Sequence, residues 1–267
     1  MTDVEDGRYL YCAVRVDDAD PTLDATGVEG EPVRVVDADG IGAVVHDCES
    51  LYDATDPQTV QRWLLDHQAV VDDAAERFGT PLPFRFDTVL RGGDEGVRSF
   101  LEERREDLSE RLAEFAGRRE YRVEVLVDEE TLDEQLAAED ERLRELAERT
   151  DEASEGTAFM LEKQYDERLA ELRRERSDER SRKLEDRLVD LADDLERLGS
   201  RPSALTGGTD GEKGTTQARI AVLAPTEGET AIGEVLDDVA AEAGVTVRFT
   251  GPWPPYTFSP TFDDGTE

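Results

Sequence analysis

The stretch RYLYCAVRV at residues 8–16 organises the first half of the chain. It is rich in aromatic and β-branched side chains, and such a run predicts a β-strand. Two further apolar runs follow at residues 33–36 and 41–46. Asp39 and Gly40 lie between them, and this dipeptide is a strong signal for a tight hairpin turn. The sequence therefore predicts a first strand followed by a β-hairpin.

The rest of the first half is predicted to alternate between helices and strands. Asp56 and Pro57 predict the start of a helix that Gly79 ends, because Asp caps helices, Pro suits the first turn and Gly follows the last. Further patterns predict a strand at 84–90, a helix at 94–115 and a strand at 121–127. This order predicts a small sheet with helices on one face, in the ferredoxin-like α+β class, and we assign that domain to residues 1–120.

Residues 121–267 are predicted to form a second, small α+β domain. Long helices are expected over about residues 131–199, because leucines recur there at helical spacing. Residues 173–183 contain no apolar side chain, which predicts a solvated stalk or a bend. A loop rich in glycine, serine and threonine at residues 201–216 is predicted to be mobile. Four leucines at a 4-3-4 spacing predict a short coiled-coil seam: Leu184, Leu188, Leu191 and Leu195.

The chain is strongly acidic, with 67 acidic and 31 basic residues and a formal net charge of −36. Only Lys163, Lys183 and Lys213 are lysines. Like charges repel within a compact chain, but at molar salt the Debye length falls to roughly 3 Å and the repulsion is screened. The composition therefore indicates a halophilic protein, and its periodic apolar runs argue against a disordered acidic chain. Because no basic stripe with interleaved aromatic residues is present, binding to nucleic acid or anionic membranes is not expected.

The sequence contains no recognisable catalytic or metal-binding constellation. Cys12 and Cys48 lie in apolar strand-like runs, and we expect both to be reduced and buried. His46 and His67 are expected to be packed or surface residues, because no nucleophile accompanies either in a known pattern. No run of 18 apolar residues predicts a transmembrane helix, and no signal peptide is evident. We expect no enzyme activity, no cofactor and no bound metal.

The segment GPWPPYTF at residues 251–258 is unusual, because three of its eight residues are prolines. Prolines so close together predict a stiff polyproline II rod that displays Trp253, Tyr256 and Phe258. Rigid aromatic side chains are suited to anchoring a partner protein. Two interpretations stay open: the segment is an exposed anchor, or it folds back and closes the protein's own core.

The run TGPWPPYTF at residues 250–258 resembles the C-terminal hallmark of the gas vesicle F and L proteins (GvpF/GvpL). The opening strand at residues 8–16, the block LPFRF at 82–86 and the block GTAFML at 156–161 are also similar to parts of that family. One departure is Asp87, which stands where the resemblance leads us to expect a glycine. Chain length and composition favour the L branch of the family.

The resemblance implies a two-domain α+β protein without enzyme activity that acts in gas vesicle formation, in the cytoplasm and at the vesicle. The implied partners are the small apolar shell protein (GvpA) and other gas vesicle accessory proteins. We expect a soluble partner of this kind to cover the apolar face of the shell protein before assembly. The alternatives are a purely structural minor shell constituent and a generic halophilic coiled-coil adaptor. The predicted contact residues are Trp253, Pro254, Pro255, Tyr256, Phe258, Leu184, Leu188, Leu191 and Leu195.

Overall fold

The computed structural model describes residues 3–17, 21–199 and 214–259. Within these residues the strands are β1 (Asp3–Arg15), β2 (Arg34–Ala38), β3 (Ile41–Ser50), β4 (Leu82–Pro83), β5 (Val89–Leu90), β6 (Arg118–Val127), β7 (Asp194–Arg197), β8 (Thr215–Pro225) and β9 (Val245–Trp253). The α-helices are α1 (Pro57–Phe78), α2 (Gly93–Glu103), α3 (Arg105–Glu114), α4 (Glu129–Glu139), α5 (Glu141–Asp151), α6 (Glu155–Leu188) and α7 (Glu229–Ala240). Two antiparallel sheets with packed helices confirm a mixed α and β fold.

The first sheet has the order β2-β3-β1-β4, and β5 also pairs with β1. Its central strand β1 is buried on both faces, with Leu10 and Tyr11 fully inaccessible. Leu10 packs in one core with α2 and α3, whereas Tyr11 packs in another with α1. The prediction of helices on one face was therefore wrong. A strand that is apolar on both faces needs a cover on each of them.

A bulge in β1 explains how one strand serves both cores. The pairing of β1 with β3 shifts register between Leu10 and Cys12. Tyr11 and Cys12 consequently pack in the same core, although strict alternation would place neighbouring residues on opposite faces. Ala13 then returns to the core that contains Leu10.

The second sheet has the order β7-β8-β6-β9, with helices between β6 and β7 and between β8 and β9. This strand–helix–strand–strand–helix–strand connectivity is that of the ferredoxin-like class, which the sequence predicts for the N-terminal half. In that half, the described part of the connection from β1 to β2 contains only the short 3₁₀ turn Val28–Gly30, so the ferredoxin-like prediction for it is not confirmed.

The long helix is shorter than its leucine pattern suggests. Helix α6 ends at Leu188, and Leu195 lies in strand β7. Leu184 and Leu188 are buried against the second sheet, together with the partly buried Leu191 and Leu195. The four leucines therefore form no continuous helical seam. The heptad spacing arose because a helix and a following strand both direct leucines into one core.

The polar middle of α6 is packed rather than solvated. Arg173 pairs with Asp133 of α4, and Arg180 pairs with Glu242 just beyond α7 at 3.0 Å. Ser177 donates a hydrogen bond of 2.7 Å to the carbonyl of Gln217 in β8. The prediction of a stalk or bend at residues 173–183 was therefore wrong, because long arginine side chains and small serines make contacts that apolar periodicity does not reveal.

Other boundaries also differ from the predictions. The helix expected at 94–115 is divided at Arg104 into α2 and α3. The helical region after β6 is divided at Asp140, whose carboxylate accepts a hydrogen bond from the backbone N–H of Leu143 and caps α5. Of the loop predicted at 201–216, residues 201–213 lie outside the described residues, and Thr215 begins β8.

The turn between β4 and β5 accommodates an aspartate in a backbone conformation that favours glycine. Asp87 has a φ of 66°. Its carboxylate accepts a hydrogen bond of 2.9 Å from the backbone N–H of Tyr52, and its own N–H donates to the hydroxyl of Tyr9. Aspartate tolerates the left-handed region better than most residues. The hydrogen bond to Tyr52 therefore compensates for the absence of the expected glycine.

We expect Asp87→Ala to lower the free energy of unfolding by about 2 kcal/mol, because alanine keeps the left-handed strain and loses the hydrogen bond. Asp87→Gly should lower it by less than about 1 kcal/mol, because glycine relieves the strain. Urea unfolding in molar KCl, followed by circular dichroism, measures both. Asp53→Ala, at an exposed carboxylate, is the control. Equal losses for the alanine and glycine variants would contradict this account of the turn.

Candidate functional site

The most unusual segment of the sequence turns back onto the protein. Strand β9 ends at Trp253, and the chain then turns, with hydrogen bonds from Tyr256 N to Pro254 O and from Ser259 N to Pro255 O. We call residues 254–259 the C-terminal clasp. The predicted extended rod was therefore wrong. Proline fixes only φ, so ψ remains able to form a turn.

Glu120 of β6 holds the clasp in place. Its side chain is fully buried, and its two carboxylate oxygens accept hydrogen bonds from the backbone N–H of Thr257 at 2.6 Å and from its hydroxyl at 2.8 Å. Arg122 Nε forms an ion pair with the same carboxylate at 2.7 Å. Three donors therefore replace the water that this charge loses on burial.

Gly251 allows β9 to come close to the backbone of β6 at Glu120. It has a φ of 133°, and a Cβ placed there would lie 2.9 Å from the carbonyl oxygen of Glu120. A larger residue at this position would therefore push β9 away from β6. This close approach explains the glycine that opens the GPWPPYTF segment.

The clasp inserts aromatic side chains into both cores of the N-terminal half. Tyr256 packs against the core that contains α1, with its ring 6.5 Å from that of His67. Phe258 packs against the opposite core, which also contains Leu223 of β8. Burial raises the pKa of Tyr256 well above its usual value. The segment that leaves the second sheet thus contributes to the packing of the first.

The residues predicted to contact a partner lie in two separate places. Of the five in the C-terminal segment, four belong to the clasp and Trp253 directly precedes it. Pro254 and Pro255 are buried, and Trp253, Tyr256 and Phe258 are partly buried. The four leucines pack in the core of the second sheet. The structure accounts for most of these side chains as packing within the chain, and their role in binding a partner stays a prediction.

A buried cluster of histidines and tyrosines lies between β1 and α1. The hydroxyl of Tyr9 is 2.8 Å from Nδ1 of His67, and that of Tyr11 is 2.7 Å from Nδ1 of His46. Nε2 of His46 is 3.0 Å from the hydroxyl of Tyr52. These hydrogen bonds fit the expectation of packed histidines, and Cys12 and Cys48 are buried and outside any disulfide.

Burial shifts the protonation of this cluster. It lowers the pKa of both His46 and His67 from 6.5 to about 4, although a backbone hydrogen bond with Phe84 opposes the shift at His67. Burial also raises the pKa of Tyr9 and Tyr11 above their ordinary values. The cluster is therefore neutral at pH 7, as dense packing requires.

The tip of the hairpin formed by α5 and α6 exposes two neighbouring apolar side chains. Phe159 is 67% exposed and Met160 is 57% exposed, whereas Leu161 beside them is 4% exposed. Leu143 and Leu146 of α5 are also buried. Because successive helical residues point about 100° apart, Leu161 faces the hairpin interior and its two predecessors face away from it.

Sequence reasoning missed both of the features that matter most here. Glu120 lies directly before an alternating strand, and nothing in its local sequence indicates a buried charge. Phe159 and Met160 were recognised only as part of a block that resembles a family. The sequence signal that could have revealed this pair is its position directly before Leu161, because the helical period places these two residues outside the buried face of the helix.

Two negative findings apply to the described residues. No helix there combines the length and apolar character needed to cross a membrane. No group of three or more potential metal-ligating side chains occurs in the same part of the chain.

The comparisons with known proteins agree with this architecture. Crystal structures of the gas vesicle protein GvpF superpose on the chain with TM-scores of 0.71 for the Anabaena protein, at 22% identity, and 0.69 for the Microcystis aeruginosa protein, at 19%. Each match covers 96% of this chain and 99% of the other. The chain thus shares its overall fold with these crystallised GvpF proteins.

The sequence comparisons assign the family. The family model described as "Gas vesicle synthesis protein GvpL/GvpF" matches residues 7–260. Gas vesicle protein L1 of Halobacterium salinarum is 47% identical, with 96% of this chain and 92% of the relative covered. Gas vesicle protein L of Haloferax mediterranei is 40% identical, with 96% and 88% covered. The chain belongs to the GvpL/GvpF family of gas vesicle proteins, and these haloarchaeal relatives are L proteins.

We expect Glu120→Ala to lower the free energy of unfolding by about 3–5 kcal/mol, because it leaves Arg122 without its buried partner and releases Thr257. Glu124→Ala is the matched control on the same strand. Its carboxylate is 20% exposed and contacts Arg248 at 3.2 Å, Arg219 at 3.7 Å and the hydroxyl of Thr216 at 3.1 Å. Because water reaches this carboxylate, the loss should be smaller than for Glu120, at about 1–2 kcal/mol. Urea unfolding measures both, and equal losses would argue against a central role for Glu120.

Stability should fall as the pH falls from 6.5 to 4. The unfolded chain binds protons at His46 and His67 in this range and the native chain does not, so the folded state loses stability. For His67 the shift from 6.5 to about 4 corresponds to about 3 kcal/mol. The raised pKa values of Asp72 and Asp87 act in the opposite sense.

Urea unfolding in molar KCl at a series of pH values measures this dependence. His67→Gln should flatten the slope between pH 6.5 and 4, because glutamine does not titrate. An unchanged slope in this variant would show that His67 is not the source of the acid sensitivity.

Proposed function

We propose that this chain is a non-enzymatic accessory protein of gas vesicle assembly, acting in the cytoplasm and at the vesicle, and that it binds the small apolar shell protein, GvpA. Membership of the GvpL/GvpF family supports the link with gas vesicles. The observation that carries the binding proposal is the exposed pair Phe159 and Met160 at the tip of the α5–α6 hairpin. Phenylalanine and methionine are enriched in protein interfaces.

Molar salt favours recognition through an exposed apolar pair such as Phe159 and Met160. The net charge of −36 and the haloarchaeal relatives indicate an environment of molar salt. There the Debye length is roughly 3 Å, so charges attract a partner only at contact distance. Burial of apolar surface does not depend on charge, and a shell protein with an apolar face can bind exposed Phe159 and Met160 by this means.

The buried titratable groups support the proposal that the chain is not an enzyme. His46 and His67 form hydrogen bonds with tyrosines, and Cys12 is a buried thiol whose pKa is raised by burial. A general base needs a pKa near the working pH and access to a substrate. The histidine–tyrosine cluster offers neither, since both histidines are buried and titrate near pH 4.

The two alternative functions differ in their support. A coiled-coil adaptor would rest on the leucine seam, but Leu184 and Leu188 pack in the core of the second sheet. A minor structural constituent of the shell keeps equal support from the family. Washing intact vesicles distinguishes a structural constituent from an assembly factor, because the constituent remains with the vesicles and the assembly factor is lost.

We expect the double variant Phe159→Ser/Met160→Ser to lose binding to the shell protein, because it removes the exposed apolar pair without touching the core. The measurement is co-purification of the two full-length proteins in molar KCl. Loss of two large apolar contacts should weaken the affinity at least about tenfold.

The matched control is Leu65→Ser/Val189→Ser, because these residues are 56% and 57% exposed but lie elsewhere. Trp253→Ala tests the partly buried aromatic residue next to the clasp, whereas substitution of Tyr256 would disturb the core. Equal loss in the control pair would indicate unspecific adhesion. Absence of binding by the unmodified protein would reject direct contact with the shell protein.

A further inference from the structure

Strand β9 forms one edge of the second sheet, and no described strand pairs with its outer side. On its inner side it pairs with β6 throughout residues 245–250. None of the nine residues of β9 is buried, whereas six of the ten residues of β6 are. The backbone N–H and C=O groups that point away from β6 can therefore pair with a further strand.

The sequence of this edge lacks the features that usually protect a sheet edge. Proteins block edges with short strands, charged side chains or prolines. Strand β7, at the opposite edge of the same sheet, has four residues, of which three are charged. Residues 245–250 read VTVRFT and contain one charged residue, Arg248, although 37% of the whole chain is charged. The outer side of β9 is therefore suited to strand addition.

The two faces of β9 differ in character. Three apolar side chains pack, partly buried, on the α7 side of the second sheet: Val245, Val247 and Phe249. The side chains between them lie on the polar face, because successive residues of a strand point to opposite faces: Thr246, Arg248 and Thr250. An added strand with the same alternation would extend the core beneath α7 and cover the apolar side chains of β9.

We propose that the β9 strands of two copies of this chain pair antiparallel, across a two-fold axis that passes through Val247. In this register Val245 lies opposite Phe249 of the partner subunit, and Val247 lies opposite its own counterpart. Apolar side chains therefore meet on the α7 side of the joined sheets. On the polar face, Thr246 lies opposite Arg248 of the partner subunit.

Other registers are less favourable. An axis through Arg248 would set two like charges directly opposite each other, which destabilises a strand pair. An axis through Phe249 would extend the pairing to Pro252, which has no backbone N–H to donate. An axis through Thr246 would extend it to Gly244, which lies in the turn before β9 with a φ of 73°.

The charge of the chain favours this edge as the contact between two copies. Chains with a net charge of −36 repel each other, but at molar salt the Debye length is roughly 3 Å and only charges close to the contact count. Residues 245–250 contain no carboxylate, so two acidic chains can meet here without opposing acidic side chains. Because β7 is short and charged, the pairing leaves no second open edge in this sheet and closes as a dimer.

The experiment measures the oligomeric state of the full chain in molar KCl, by sedimentation velocity over a series of concentrations. We expect a reversible dimer. Thr246→Arg should weaken the dimer about fivefold and Thr246→Asp should strengthen it about fivefold, because each dimer contains the pair with Arg248 twice. General repulsion between acidic chains predicts the reverse order, because an added arginine lowers the net charge and an added aspartate raises it.

Thr250→Arg is the matched control. Thr250 is exposed on the same face of the same strand, but it would lie opposite Gly244 of the partner subunit, so the dimer should be unaffected. Circular dichroism checks that the variants are folded. A monomer at every concentration would overturn the proposal, as would equal effects of Thr246→Arg and Thr246→Asp or equal weakening by Thr250→Arg. The assay contains only this chain, so its result is independent of the function proposed for Phe159 and Met160.

Discussion

The buried carboxylate of Glu120 is the interaction on which the arrangement of the two sheets depends. A charge without contact with water is stable only when enough donors surround it. Arg122 supplies one donor from the same strand, and Thr257 supplies two from the far end of the chain. Because Thr257 is held there, its neighbours Tyr256 and Phe258 reach the two N-terminal cores. The contact between Glu120 and Thr257 in the second sheet thus positions the two aromatic side chains that complete the cores of the first sheet.

Charge is used in two ways in this chain. Most acidic residues lie on the surface, whereas arginines join elements at contact distance. Arg34 and Arg8 bind Asp94 at the start of α2 and hold its pKa at about 2. Arg173 joins α6 to α4 in the same manner. Such contacts are shorter than the screening length at molar salt, so they remain attractive where longer-range repulsion has been screened.

Helix α6 carries the exposed pair Phe159 and Met160 near its start. At 1.5 Å per residue, its 34 residues span about 50 Å. The helix packs against α4, α5 and β8. These contacts hold Phe159 and Met160 in a defined position relative to the second sheet.

The sequence by itself determined the family, the acidic character, the strand at residues 8–16 and the helix capped by Asp56. These depend on local composition, caps and motifs, which neighbouring residues carry. Only the tertiary structure decided that Leu195 lies in a strand, that the polar middle of α6 is packed, and that Tyr256 is part of a core. Each depends on residues distant in sequence, such as Gln217 for Ser177 and Glu120 for Thr257. Leucine periodicity and proline content do not indicate which distant group a side chain will contact. The burial of the side chain depends on that contact.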